Sequence, residues 1–441
     1  MLLIQESRFK ELKSIIDKIN VVDIADLFEL LEKDQLIKVF RLCGKEKAAD
    51  LFSYLSHEHQ QYIIESISDR EIKNIIDELF IDDTVDFIEE MPANVVNKVL
   101  KNTDDETRKT INLFLTYPDN SAGSLMTIEF VGLKKDMTVA QAIDNIKKNG
   151  VDKETINNCY VIDEQRKLVG IVSIRRLILS DNEVLIKDIM ETHLIKASTI
   201  QDQEEIATLF KKYDYTSIPV VDRENCLVGI ITIDDIVDII EQENTEDFQI
   251  MAAVTPTVEE YLKTSVIQHT KNRIVWLFIL MVSATISGAI INKYDRVLQN
   301  FVLLASFIPM LMDTGGNCGS QSSTLIIRGI ALAEIKFKHT LIVIWKELRI
   351  SMIVGAILGV LNYIRIVIFN PSAGLKVPLV VSISLCGTVI ISKLIGSTLP
   401  ILAQKIKIDP ALMAAPLITT LADGLALILY FTLATFILNI S

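Results

Sequence analysis

Between Ala411 and Leu438 the chain is apolar except for one charged side chain, Asp423. A helix rising about 1.5 Å per residue would carry this stretch across the hydrocarbon of a bilayer. A carboxylate at that depth costs about 2.5–3.5 kcal/mol, so it faces a partner or a water-filled path. No Lys or Arg lies within a turn of it. Thr420, Thr419 and Pro416, three, four and seven residues earlier, fall on the same helical face. Hydroxyls and a proline-freed carbonyl around a carboxylate make an oxygen-lined site of the kind a hard cation prefers. The plainer alternative is a helix–helix hydrogen bond from a protonated Asp423.

A second polar stretch, Pro309 to Gln321, spaces Pro309, Asp313, Asn317 and Gln321 at i+4 intervals, which lines them along one helical face. Gly315-Gly316 predicts a weakened or unwound helix there, with backbone carbonyls lining a cavity. Gly315 and Gly319 also have the spacing of a helix-packing seam.

These residues need membrane helices to hold them. The apolar runs predict five spans, near 274–291, 301–327, 342–368, 378–403 and 411–438. Ten basic residues flank one side (Lys263, Lys271, Arg273, Arg328, Lys336, Lys338, Lys346, Arg349, Lys405 and Lys407) and four the other (Lys293, Arg296, Arg365 and Lys376). That bias predicts a cytosolic amino-terminal half and an outside carboxyl terminus. Residues 1–270 hold 30 Lys and Arg against 51 Asp and Glu, a balance of −21, and residues 271–441 hold 14 against 6, a balance of +8. An acidic half argues against nucleic acid or anionic lipid as its partner and is compatible with cation binding. Met1 to Lys13 has neither a signal-peptide nor a transit-peptide pattern. The five cysteines show no CxxC spacing and predict neither a zinc site nor a disulfide framework.

Residues 1–118 predict short helices stacked as an all-α superhelical domain. Ala25-Asp26-Leu27-Phe28 recurs as Ala49-Asp50-Leu51-Phe52, and loosely as Val85-Asp86-Phe87-Ile88. A clearer repeat follows. Val161-Ile162-Asp163 with Leu168-Val169-Gly170-Ile171 returns 59 residues later as Val220-Val221-Asp222 with Leu227-Val228-Gly229-Ile230. The openings match too, as Leu125-Met126-Thr127 and Ile189-Met190-Glu191. This α/β unit resembles a tandem pair of cystathionine-β-synthase (CBS) domains over 124–240, divided as 124–186 and 187–240. CBS pairs are sensor modules, and some bind adenine nucleotides. Residues 241–270 read as an acidic, amphipathic connecting (plug) helix broken near Pro256. Carboxylates crowd its approach and its length, from Asp234 through Asp235, Asp238, Glu243, Glu246 and Asp247 to Glu259 and Glu260. A solvated linker would account for them equally.

A helical amino-terminal domain, a CBS pair and a five-helix transmembrane domain (271–441) carrying D-T-G-G-N-C-G-S-Q and D-P-A-L-M-A-A-P-L-I-T-T-L-A-D together resemble the MgtE family of magnesium channels, over the full length. The resemblance implies a homodimer in the cell membrane, paired through its CBS and transmembrane domains and surrounded by lipid, with a pore between subunits. In that reading Asp423 holds hydrated Mg²⁺ with its copy from the second subunit, and Asn317 lines the same path. Asp313, Thr419, Thr420 and Pro416 complete the pore. Asp409-Pro410 reads as a helix cap. The resemblance further implies regulatory Mg²⁺ at Asp50, Asp82, Asp86, Glu204, Asp214, Asp235, Asp238, Glu243, Glu246 and Asp247, closing the pore when bound. Some members bind ATP in the CBS cleft; Arg175 and Tyr215 match that role, whereas Asn158 stands where an aromatic would stack. Two alternatives remain, a broader Mn²⁺, Co²⁺ or Ca²⁺ pathway and a nucleotide-responsive membrane sensor. No nucleophile–base set or phosphate loop suggests an enzyme.

Overall fold

The computed structural model describes residue 6 and residues 8–257, 261–413 and 415–439, so Glu259 and Glu260 lie outside the described residues. The chain divides into two compact units, 1–240 and 241–441.

Among the described residues the first unit begins with nine short helices: α1 (Phe9–Ile16), α2 (Val21–Phe28), α3 (Lys33–Phe40), α4 (Lys45–Ser53), α5 (His57–Ser66), α6 (Asp69–Ile76), α7 (Ile81–Glu89), α8 (Ala93–Asn102) and α9 (Asp105–Phe114). Helices this short are not stable alone, and their cohesion comes from the buried face. Alternate helices pack on one another, α2 on α4, α4 on α6 and α6 on α8, which is a superhelical stack. Two lysines close the turns. Lys47 Nζ donates to the carbonyls of Ile16 and Ile19, at 2.5 and 2.8 Å, and Lys98 Nζ to those of Ile64, Glu65 and Ile67, at 2.6, 3.3 and 3.2 Å. Each cation satisfies orphaned carbonyls at a helix end.

A one-turn helix, α10 (Ala122–Leu125), leads into two copies of one small sheet. The first holds β1 (Phe130–Lys134), α11 (Val139–Asn149), β2 (Thr155–Ile162), β3 (Leu168–Ser173), α12 (Ile174–Ile178) and α13 (Ile186–Ile189). The second holds β4 (Ala197–Ser198), α14 (Gln203–Tyr213), β5 (Ser217–Val221), β6 (Leu227–Thr232) and α15 (Ile233–Met251). In each, the first strand pairs parallel and the third antiparallel to the middle one. The matching openings cross over. Thr127 exchanges two backbone hydrogen bonds of 2.8 Å with Ile230 of the second copy, while Glu191 and Ile171 exchange bonds of 2.8 and 3.0 Å in the first. Gly229 and Gly170 permit this approach, because a β-carbon would stand 2.8 Å from the Met126 sulfur and 2.5 Å from the Met190 sulfur. An apolar core continues from the helical stack (Phe52, Phe87, Phe114) into the second copy (Ile206, Phe210, Ile218).

In the second unit, α15 ends at Met251 and the next helix starts at Val266, so 241–270 is not one helix. The break spans Pro256, as its fixed φ and missing N–H favour. There follow α16 (Val266–Lys293), α17 (Asp295–Asn300), a 3₁₀ turn (Val302–Phe307), α18 (Ile308–Ala331), α19 (Thr340–Phe369), α20 (Lys376–Lys405) and, after the 3₁₀ turn Pro410–Met413, α21 (Ala415–Leu438). Among the described residues four segments are long and apolar enough to cross a membrane: Val266–Lys293, Phe337–Phe369, Lys376–Lys405 and Pro410–Leu438. The expected fifth, at 301–327, is not among them. Its helix has 24 residues, but the polar and small side chains from Asp313 to Thr324 dilute its apolar content. The helix is also continuous through Gly315-Gly316, correcting the expected unwinding. Both glycines are buried where other helices press close: a β-carbon on Gly315 would stand 2.9 Å from the Thr388 methyl, and one on Gly316 2.9 Å from the Thr419 methyl. Tertiary packing outweighs the modest helix penalty of glycine, about 1 kcal/mol each. Tyr430 anchors the seam by donating a 2.9 Å hydrogen bond to the Leu304 carbonyl.

Candidate cation sites and the family

Helix α18 is two-sided. Leu311, Gly315, Cys318, Gly319 and Ser322 are buried against α20 and α21, while Pro309, Asp313, Asn317 and Gln321 form an exposed stripe within this single chain. On α21, Ile418, Ala422 and Ala426 are buried, and Pro416, Thr419, Thr420 and Asp423 are half-buried at the edge of the same groove. Among the described residues Asp423 Oδ1 is buried without a hydrogen-bond partner, and the charged side chain close enough to act on it is another carboxylate, Asp313. Thr420 Oγ1 donates to the Pro416 carbonyl at 3.0 Å, so its proton is used within its own helix while its lone pairs stay available. An unpaired carboxylate beside a second one, with hydroxyl oxygens near, is an environment that a cation relieves.

The first unit gathers a second set of acids where α7 meets the CBS pair. Asp82, Asp83, Glu154 and Asp235 are half-buried, and Asp86 lies beside them on α7. Burial first, then Asp235 and Asp83, hold Asp82 well above the usual carboxylate range. Burial and neighbouring carboxylates push Asp83 to about 6, with Asp235 the strongest neighbour. Crowding by packed atoms, then Asp83, raises Asp86 to about 7 although its side chain reaches the surface, and burial, then Asp234, raises Glu154 to about 7. Burial also raises Asp235 to about 6, against the 2.8 Å hydrogen bond donated by Thr232 Oγ1. Asp50 is raised by burial, then by Glu46 and Glu78. Asp238 is exposed on the next turn of α15. Sequence reasoning missed Asp83, Glu129 and Glu154, and counted Asp234 among the crowded carboxylates without placing it in the Mg²⁺ set. Glu129 and Glu154 are joined through backbone, the Glu154 N–H donating to the Glu129 carbonyl at 2.9 Å. Glu204 and Asp214 stand at opposite ends of α14, about 15 Å apart by helical rise, and so do not share one site.

In the second unit Asp247 is half-buried and pushed to about 6, by burial first, then by Asp409, Glu243 and Glu246. Asp409 caps its 3₁₀ turn as expected, accepting from the Ala411 N–H at 2.8 Å, and it also joins this acidic patch. Among the described residues no three His, Cys, Asp or Glu side chains are grouped closely enough to hold a metal ion directly. In the CBS cleft, Tyr215 stacks on Tyr213 with ring centroids 5.7 Å apart, and Asn158 Nδ2 donates to Thr216 Oγ1 and Ser217 Oγ at 3.4 and 3.1 Å. Arg175 is exposed on α12.

Comparison with known proteins follows this division. Residues 308–433 match the MgtE divalent cation transporter model, 19–120 the MgtE intracellular N domain, and 122–182 and 186–242 the CBS domain. The chain is 34% identical over 435 residues to the magnesium transporter MgtE of Bacillus subtilis, covering 99% of this chain and 96% of the relative. It is 33% identical over 440 residues to that of Thermus thermophilus, covering 99% and 97%. The chain belongs to the MgtE family. The family assignment extends to solved structures of the first unit. A crystal structure of the cytosolic domain of the Mg²⁺ channel MgtE in complex with ATP superposes with TM-score 0.51 at 34% identity, over 53% of this chain and 96% of that one. The soluble part of a magnesium transporter gives 0.52 at 27% identity, over 55% and 95%.

Proposed function

We propose that the chain is a Mg²⁺-selective channel of the cell membrane, closed when cytosolic Mg²⁺ binds its acidic surfaces. Full-length kinship with magnesium transporters supports the cargo. The observation that carries the pathway is the unpaired, buried oxygen of Asp423 beside Asp313, at the edge of the exposed Asp313–Asn317–Gln321 stripe. A half-groove of this kind becomes a pore when a second copy faces it. Two Asp423 carboxylates across a two-fold axis then match the charge of one Mg²⁺. Mg²⁺ sheds water reluctantly, so the ion is held through its hydration shell by few carboxylates and a ring of hydroxyls, Thr419 and Thr420 among them. Five spans, counting α18 as lined by protein and water rather than lipid, set the amino-terminal half in the cytosol and the carboxyl terminus outside.

Regulation follows from the shifted acids. Asp82, Asp83, Asp86, Glu154 and Asp235 repel one another, as do Asp247, Asp409, Glu243 and Glu246, so each group gains from a hydrated divalent ion. Mg²⁺ retained through water is consistent with carboxylates that are near but not grouped as direct ligands. Binding favours the compact, closed arrangement, and its loss lets the acids separate. ATP in the CBS cleft is a further ligand of this reading, with Tyr215 and Arg175 as contacts, supported by the ATP complex of the related cytosolic domain. In a Mg²⁺-auxotrophic strain, Asp423→Asn abolishes growth rescue while the protein still reaches the membrane. Full rescue by Asp423→Asn would refute the channel reading. Competition by Mn²⁺, Co²⁺ or Ca²⁺ tests the broader divalent pathway.

A further inference from the structure

Two charged side chains in the second unit are buried inside the apolar helices and belong to none of the sites above. Glu347 on α19 is 7% exposed and Lys393 on α20 is 6% exposed. They are joined through Ser322 of α18, itself 1% exposed. Lys393 Nζ donates to Ser322 Oγ at 3.3 Å, and Ser322 Oγ donates to Glu347 Oε2 at 2.7 Å. A hydroxyl that accepts from an ammonium and donates to a carboxylate fits both groups in their charged forms, so the trio is electrically neutral.

Its place in the unit gives it a task. The segment of α20 that carries Lys393 packs on the back of α18. Ser392 lies 3.2 Å from where a Gly315 β-carbon would stand, and Gly396 abuts the Gly319 carbonyl. Asp313, Asn317 and Gln321 face outward from the other side of that stretch of α18. An uncompensated ammonium there would sit within about 10–15 Å of the acidic groove, a helix diameter away, with little water to screen it.

We propose that Glu347 and Ser322 act as positioning residues that hold and neutralise Lys393 behind the polar face of α18, so that a cation beside Asp313 and Asp423 does not meet the lysine's field. This rests on the cation-pathway reading. The neutral relay also makes the sign of each disruption matter. Losing Glu347 leaves a buried positive charge, which opposes cation occupancy; losing Lys393 leaves a negative one, which does not. A purely structural role has no such asymmetry.

The test compares full-length wild type with Glu347→Gln, Lys393→Met, the double variant and Asp423→Asn. Mg²⁺ uptake is measured in proteoliposomes and normalised to monodisperse protein. The relay predicts about a tenfold loss for Glu347→Gln, the effect of one unit charge at that range. It predicts a smaller loss for Lys393→Met and recovery towards wild type in the double variant. Equal losses in the two single variants, or wild-type uptake in both, would overturn it. Should Glu347→Gln fail to fold, the double variant decides: near wild-type uptake supports the relay, and uptake as low as Asp423→Asn overturns it. Wild-type uptake by Asp423→Asn would instead sink the pathway reading itself.

Discussion

The methyl group of Thr419 on α21 lies against Gly316 on α18, 2.9 Å from where a β-carbon on that glycine would stand. At that point no room is left for a β-carbon between the two helices that carry Asp423 and Asp313. Gly316→Ala therefore pushes α18 away from α21 or turns Thr419 aside. Overpacking of this kind costs about 1–3 kcal/mol. A lower melting temperature in detergent and a several-fold loss of Mg²⁺ uptake are expected; an unchanged melting temperature would contradict the close packing.

Asp313 should matter through the field it shares with Asp423. Asp313→Asn removes one of two negative charges from the groove and leaves a polar side chain of the same size. Uptake at low external Mg²⁺ is expected to fall by about tenfold and to recover partly at high Mg²⁺, since occupancy rather than the path itself is impaired. A loss that high Mg²⁺ does not relieve would assign Asp313 a different part.

The acids of the first unit give a pH dependence with a definite sign. Asp83 and Asp235 titrate near 6 and Asp86 and Glu154 near 7 in the folded chain, above the ordinary values near 4. The folded state then binds more protons than the unfolded one, so without Mg²⁺ its stability falls as pH rises from about 4 to 7. The repulsion is complete above that window, and Mg²⁺ relieves it. Proteolysis of residues 120–257 is expected to be slowed by millimolar Mg²⁺ much more at pH 8 than at pH 5.5, where protons already occupy part of the cluster. Equal protection at both values would separate these acids from Mg²⁺ sensing.

Lys98 is a purely structural case. Its ammonium serves three carbonyls at the end of α5 and the turn after it. Lys98→Met keeps the alkyl stem and removes the donor. A loss of about 1–3 kcal/mol, typical for hydrogen bonds to a charged group, is expected. Earlier cleavage between α5 and α8 in limited proteolysis would report it, with Mg²⁺ uptake per folded molecule unchanged.

Much of this architecture can be read from residue order alone, where the signal is periodic. The returning L-V-G-I motif marks both small sheets, and the i+4 spacing of Asp313, Asn317 and Gln321 matches the stripe that α18 exposes. The misses are physical too. Asp83, Glu129 and Glu154 lie on separate elements with ordinary acidic neighbours, and only the tertiary fold brings them to Asp235. Lys393 sits inside an apolar run, where counting loop charges passes over it, although an ionisable group at such depth is itself a signal; Glu347 stands between Lys346 and Arg349 and reads as one more flanking charge. Gly315-Gly316 reads locally as a helix breaker, yet its smallness serves helix contact.

The exchanged openings of the two CBS copies bear on how such a chain can be cut. Each copy borrows the short segment that precedes its twin, Met126-Thr127 for one and Met190-Glu191 for the other. A half excised at residue 186 would leave strand backbone unsatisfied and a sulfur-lined slot vacant. Each copy therefore completes the other's edge, and a cut between them takes a pairing segment from both.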